Sequence, residues 1–298
     1  MKKNIGIPKA LLFHKYGDKW KNFFNILGYS VILSNETNKV ILNEGVKRCI
    51  DEACLPVKVF YGHILDLAGR VNQIFVPRYI STEAKTKTCP KLIGLPDMIR
   101  NNFPSLRIVS PAFNIKKKSE KLSLFLLALK LSKSPIKALK ATRGFFYPYK
   151  ETKQRIELDP SKSNIGLISH AYVLKDNYIN MDIRDILKSM DVNVIGTEDL
   201  SKEILDKEND KLNKPLYWSY EKEVLGSAYY FAGNDRIDGV IHLTAFSCGP
   251  DSVVAEIIGD YCRKKNKPYL KLMLDEHTGR AGFITRIEAF FDMLQSRR

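Results

Sequence analysis

The sequence predicts an α/β protein of two doubly wound, mostly parallel-sheet lobes with a helical insertion between them. Three observations carry that expectation. Short β-branched apolar runs alternate with amphipathic helical patterns over residues 1–115 and again over 164–298, and such alternation builds parallel sheets. Residues 116–163 break the pattern, first Lys- and Leu-rich, then polar with Pro148 and Pro160. The two lobes also open alike, Asn4-Ile5-Gly6-Ile7 and Asn164-Ile165-Gly166-Leu167, as a duplicated unit would.

In the first lobe a strand over 4–8 precedes a helix over 15–27. Trp20, Phe23, Phe24 and Leu27 share one face of that helix, and Gly28 closes it. A strand over 30–34 follows, then a helix over 43–53 with Val46 and Ile50 inward, and a helix over 62–69. Next come a strand over 73–77, a basic loop over 81–88 leading to Cys89, a helix over 96–101 and a strand over 107–110. Residues 116–145 read as helical and 147–163 as a linker. The second lobe has strands over 164–169, 192–196, 240–245 and 269–274, with helices over 181–190, 253–264 and 288–294. Sites in open parallel sheets gather at the carboxyl ends of strands. His170, Cys248 and the run Asp275-Glu276-His277 all follow strands.

A chain of 298 residues, 44% hydrophobic, can bury a sizeable core in about two domains. The N-terminus has only a short apolar run broken by Pro8 and Lys9, unlike a signal peptide. The most apolar stretch, 122–131, is too short to span a bilayer. The expectation is a cytoplasmic protein without membrane contact. The net charge of +15 raises the question of nucleic acid. The lysines are scattered, however, with dense clusters only at Lys116-Lys117-Lys118 and over 130–140, and no nucleic-acid motif accompanies them. A lysine-rich solvated surface is the preferred reading, with attraction to a phosphate-bearing metabolite as an intermediate one.

Five cysteines in a reducing compartment do not read as a disulfide framework. Three share a context: Cys54 precedes Leu55-Pro56, Cys89 precedes Pro90, and Cys248 precedes Gly249-Pro250. Proline fixes φ and removes an N–H, shaping the turn that presents each sulfur. Iron–sulfur ligands often sit in such turns. Cys49 and Cys262 lie in amphipathic helical patterns and read as packing residues. Without a CxxC, zinc-ribbon and thioredoxin readings are weak. Three thiolates would leave one metal position open. Zinc held by three Cys and one His is the rival chemistry, and chance placement in a chain with 13 prolines is the alternative to any site.

At this point the motifs resemble a known family. Asp51-Glu52-Ala53-Cys54-Leu55-Pro56-Val57-Lys58, Tyr61-Gly62-His63, Phe75-Val76-Pro77-Arg78, Thr88-Cys89-Pro90-Lys91 and Gly94-Leu95-Pro96-Asp97 are similar to segments of acyl-CoA dehydratase activase-related proteins. So, in the second lobe, are Ser169-His170-Ala171-Tyr172, Tyr178-Ile179-Asn180-Met181, Phe246-Ser247-Cys248-Gly249-Pro250-Asp251-Ser252 and Leu274-Asp275-Glu276-His277-Thr278-Gly279. These proteins are related to 2-hydroxyacyl-CoA dehydratases. The resemblance implies a [4Fe-4S] cluster held by Cys54, Cys89 and Cys248, which some relatives join to a second cubane through a bridging sulfide. It also implies low-potential electron transfer, oxygen sensitivity, a CoA thioester substrate and a partner activator that hydrolyses ATP. This sequence has no GxxxxGK[ST] and no GxGxxG after a strand, so the ATPase is expected on another chain. A homodimer is the default assembly.

His170 is the candidate catalytic residue, as a hydrogen-bond donor to a substrate carbonyl or an acid–base, against a plain capping role. His63 reads as structural before cluster-adjacent. Asp275, Glu276 and His277 read as loop organisers before metal ligands. Arg78 is divided between an anion such as a CoA phosphate and an ordinary salt bridge. Glu256 reads as a solvated helix residue. Three functions compete, in this order: a redox component accepting ATP-driven electrons, a non-redox metal- or cluster-holding scaffold or assembly factor, and a nucleic-acid binder.

Overall fold

The computed structural model describes residues 3–82, 85–114, 119–146, 156–212 and 214–297. Two compact units emerge, Met1–Asp51 with Val57–Thr152, and Glu52–Pro56 with Lys153–Arg298.

The first unit contains β1 (Asn4–Ile7), α1 (Phe13–Ile26), β2 (Ser30–Leu33), α2 (Lys39–Arg48) and most of α3 (Leu55–Leu67). It continues with β3 (Ile74–Phe75), β4 (Arg78–Ser81), α4 (Pro90–Asn102), β5 (Ile108–Val109), β6 (Ala112–Asn114), α5 (Ser119–Ser132) and α6 (Pro135–Phe146). Its main sheet runs β2-β1-β3-β5, every pair parallel, and β4 pairs with β6 in a small parallel sheet. Trp20 on α1 centres the core. Its indole N–H donates to the Tyr79 hydroxyl at 2.8 Å, and its ring meets Phe75 and Phe145 at 4.5 Å and Phe113 at 4.9 Å. Phe145 thus fastens α6 to α1.

The second unit contains β7 (Ser163–Ile168), α7 (Ala171–Leu174), α8 (Ile183–Ser189), β8 (Val192–Gly196), α9 (Lys202–Asn209) and α10 (Ser219–Ala232). After these come β9 (Gly239–Ala245), α11 (Gly249–Lys264), β10 (Tyr269–Leu274) and α12 (Arg280–Gln295). The sheet runs β8-β7-β9-β10, again all parallel. All seven residues of β9 are buried, the mark of a central strand covered on both faces. Val224, Leu225 and Phe231 of α10 and Val254 and Ile258 of α11 join β9's Val240 in one apolar cluster. Each unit therefore places its first strand between its second and third, with the fourth outside the third. The α/β class and the parallel sheets match the expectation, and the shared strand order gives the repeated Asn-Ile-Gly opening a structural counterpart.

Several boundaries differ from the sequence reading. The helix expected over 43–53 is α2, Lys39–Arg48, because Asn38 caps it by accepting from the Val40 and Ile41 N–H groups at 2.9 and 3.1 Å. Its buried face is Ile41, Leu42 and Gly45, while Ile50 lies beyond the helix and is exposed. That early start serves a close crossing with α3. A Cβ on Gly45 would meet the Lys58 carbonyl oxygen at 2.0 Å, and one on Gly62 would meet the Ile41 carbonyl oxygen at 1.9 Å. Helices α3, α4, α11 and α12 all begin earlier than the periodicity indicated. The stretch read as helical over 116–145 holds two helices, α5 and α6, both in the first unit, while Lys116-Lys117-Lys118 and 147–155 lie outside the described residues. Residues 83–84 of the basic loop do as well. Among the described residues, no helix is long and apolar enough to cross a membrane.

Candidate functional site

The three proline-linked cysteines share a local geometry. Cys54 directly precedes α3 and has Pro56 in that helix's first turn. Cys89 is the residue before α4, extended at φ −63° and ψ 151°, with Pro90 opening the helix. Cys248 stands likewise before α11, at φ −82° and ψ 98°, with Pro250 in the first turn. Proline suits the first helical turn because the N–H it lacks would have no partner there. Each sulfur is thus carried where peptide N–H groups point outward and the helix dipole favours negative charge.

Cys54 belongs to the second unit through the segment Glu52–Pro56, and the structure brings it together with Cys248. The Ser247 hydroxyl donates to the Glu52 carbonyl at 2.6 Å. Ser247 itself sits at φ +65°, a left-handed conformation rare outside glycine. That turn swings the chain from the end of β9 into Cys248, whose N–H returns to the Ala245 carbonyl at 3.0 Å. Burial pushes the Cys248 thiol well up, and the nearby Asp251 and Cys54 push in the same direction. Here burial outweighs the helix start, which alone would favour thiolate.

Two more donors converge on that sulfur. His170, before α7 at the carboxyl end of β7, and Glu221, in the first turn of α10, place ligand atoms within 4.8 Å of each other and of Cys248 Sγ. His170 Nε2 and Glu221 Oε1 stand 3.5 Å apart. Both residues are 3% exposed, and neither His170 ring nitrogen has a hydrogen-bond partner. The His170 ring stacks on Tyr172 at 4.9 Å, which fixes its plane. Burial raises the Glu221 carboxyl pKa, while His170 opposes the shift.

Behind Cys248, Asp251 Oδ1 meets His242 Nε2 at 3.2 Å, and His242 Nδ1 meets the Tyr269 hydroxyl at 2.9 Å. Burial acts to raise the Asp251 pKa, but the charge and hydrogen bond of His242 leave it lowered overall. Asp251 Oδ2 is buried without a partner.

The remaining candidates separate cleanly. Cys89 belongs to the first unit and is partly exposed. His63 is fully buried there between the Ser34 hydroxyl at 2.8 Å and the Thr37 hydroxyl at 3.0 Å, a structural role. Arg78 forks onto both Asp97 oxygens at 2.7 Å and donates to the Ile93 carbonyl at 2.7 Å, so its guanidinium is committed within its own unit. Asp275 Oδ1 accepts from the His277 N–H at 2.9 Å and the Thr278 hydroxyl at 2.7 Å, organising the loop before α12. Glu256 pairs on the surface with Lys271 at 3.0 Å. Cys262 is buried in α11, its thiol pushed up by burial to about 12, as a packing residue. Cys49 caps the C-terminus of α2 rather than lying inside a helix.

The model of the CoA enzyme activase uncharacterised domain (DUF2229) matches residues 4–200. The chain belongs to that family. A second family model, 2-hydroxyglutaryl-CoA dehydratase, D-component, matches residues 180–294. Together they make this a 2-hydroxyacyl-CoA dehydratase/activase-related protein, in keeping with the motif resemblance. Cys54, Cys89 and His170 fall in the first match, and Glu221 and Cys248 in the second. No curated protein matches the sequence significantly. Among solved structures, the dinucleotide-forming acetyl-coenzyme A synthetase 1 of Ca. Korarchaeum cryptofilum, in complex with phosphate and ADP, is similar at 11% identity and a TM-score of 0.23. The alignment covers 91% of this chain and 56% of that one, so this chain spans little more than half its length. So low a score carries no argument.

Glu221 is the member of this buried donor group that sequence reading missed. Its signal lay in α10: Tyr220, Val224, Leu225, Ala228 and Phe231 are buried at helical spacing, and Glu221 is an acid set among them. A carboxylate on an apolar helix face needs a partner.

Proposed function

We propose that this chain is an iron–sulfur cluster protein of the dehydratase/activase-related type, with Cys54, Cys89 and Cys248 as cluster ligands. The supporting observation is the geometry common to the three cysteines, each directly before a helix with proline in its first turn. The donor chemistry fits: thiolates suit iron–sulfur clusters. The proximity of Cys54 and Cys248 within the second unit fits as well. A [4Fe-4S] cluster, single or bridged as a double cubane, would supply one-electron chemistry at low potential. The chain's own part is to seat the thiolates, offset negative charge with peptide dipoles and exclude water around Cys248. In this reading electrons come from a separate ATP-hydrolysing activator, the acceptor is a CoA thioester or other small molecule, and the protein works in the cytoplasm.

A second reading, a non-redox metal- or cluster-holding scaffold, is favoured by one observation. His170 and Glu221 add non-thiolate donors beside Cys248.

The test is anaerobic purification with iron, acid-labile sulfide, zinc and the visible spectrum measured together. About four irons per chain with matching sulfide, lost on Cys54→Ala, Cys89→Ala or Cys248→Ala, is the expected result. About one zinc without sulfide would replace it with the scaffold reading. A metal-free protein would remove both.

A further inference from the structure

We infer that His170, Glu221 and Cys248 are three ligands of one transition-metal ion, so that the centre anchored at Cys248 carries an imidazole and a carboxylate beside its thiolate. This rests on the second, metal-holding reading of Cys248: an iron of a cubane already carries three sulfides and one terminal ligand, so an ion with these three protein donors is a mononuclear centre.

The argument begins with convergence. Three elements distant in sequence, the starts of α7, α10 and α11, deliver one donor each, and all three ligand atoms lie within 4.8 Å of one another. Burial comes next: His170 and Glu221 are each 3% exposed and Cys248 is 8% exposed. A buried imidazole normally fills its hydrogen bonds, because an empty one has lost its water partner without replacement. Both His170 nitrogens lack a hydrogen-bond partner, and Nε2 has only the Glu221 carboxylate at ion-pair distance. The plain alternative is a buried His–Glu pair: at 3.5 Å the two groups lie within ion-pair reach, but they form no hydrogen bond. A gap bordered by a sulfur, an imidazole nitrogen and a carboxylate oxygen is the shape of an ion site. Sulfur with imidazole selects zinc, iron(II) or cobalt(II) over magnesium or calcium. Three protein donors leave a fourth tetrahedral position, open to water or to another thiol.

Cobalt(II) tests the donor set apart from any cluster. The full chain, stripped of metal under anaerobic conditions and confirmed folded by circular dichroism, would be titrated with cobalt(II) and followed by its absorption. The expected result is about one cobalt per chain with a thiolate-to-metal charge-transfer band. Cys248→Ser should abolish that band. His170→Gln and Glu221→Gln, which approximate the native shapes, should each weaken binding by at least about tenfold, since even outer-shell partners cost that much. Cys49→Ser should change nothing. Equal affinity in the His170→Gln and Glu221→Gln proteins, or no charge-transfer band in the folded wild type, would overturn the inference. Iron and sulfide in the unstripped protein report on the cluster separately. A cluster with unchanged cobalt affinity in both variants keeps the proposed function and removes this inference. Cobalt binding lost in those variants without any iron or sulfide does the reverse.

Discussion

The Ser247 hydroxyl donates to the Glu52 carbonyl, tying the residue before Cys248 to the segment that carries Cys54. One short hydrogen bond thus sets the spacing between two candidate ligands more than 190 positions apart. Ser247→Ala removes it while keeping the strained backbone. The fold should lose only about 0.5–1.5 kcal/mol by urea denaturation. Iron retained per chain after anaerobic purification should fall much more sharply. Full iron retention would show that this bond does not hold the ligands in place.

The crossing of α2 and α3 predicts a different kind of failure. Gly62→Ala and Gly45→Ala would each drive a methyl group into a backbone carbonyl. Overpacking against a yielding side chain costs about 1–3 kcal/mol, and a carbonyl yields less. Each substitution should therefore cost at least about 3 kcal/mol in urea denaturation, by the same reasoning. The Tyr61-Gly62-His63 motif is then explained by packing.

His63 makes stability depend on pH. Burial lowers its pKa from 6.5 to about 4, with Asp66 partly opposing. The folded state therefore binds this proton less readily than the unfolded state. Its contribution is fully present above the unfolded value near pH 6.5, and it is lost as pH falls toward about 4. Between about pH 7 and about pH 5 the loss should be roughly 2 kcal/mol. His63→Gln should flatten that part of the profile, measured by urea denaturation at each pH.

Arg78 offers a local test by nuclear magnetic resonance. Its hydrogen bonds hold the Asp97 carboxyl below its ordinary pKa, helped by Arg100. Arg78→Lys keeps the charge but cannot fork onto both oxygens. The Asp97 titration midpoint should then move up toward the ordinary carboxylate value. An unmoved midpoint would assign the shift to Arg100.

Much of this was legible in the sequence, and the gaps have physical causes. β10 has the bounds the sequence indicates because Tyr269–Leu274 is a short, largely apolar run that ends at the polar Asp275-Glu276-His277 turn. His170 and Cys248 stand out in the sequence as candidates because they follow strands. The starts of α4 and α11 do not, because Cys-Pro and Cys-Gly-Pro look like turns although proline is at home in a first helical turn. α10 went unread because its Tyr, Phe and Ala residues are buried almost all round, which blurs a one-sided periodicity. With it went Glu221. Orphaned ring nitrogens and a 3.5 Å gap between acid and imidazole are tertiary facts, and no spacing along the chain encodes them.

The helices that begin after Cys54, Cys89 and Cys248 present peptide dipoles, and peptide groups do not titrate over any ordinary pH. A lysine cradle loses its charge in alkali. A helix start does not, and it brings no mobile cation that an incoming anion could displace. At Cys248 the helix start supplies the part of the field that pH leaves unchanged, beside the titratable carboxylates of Glu221 and Asp251.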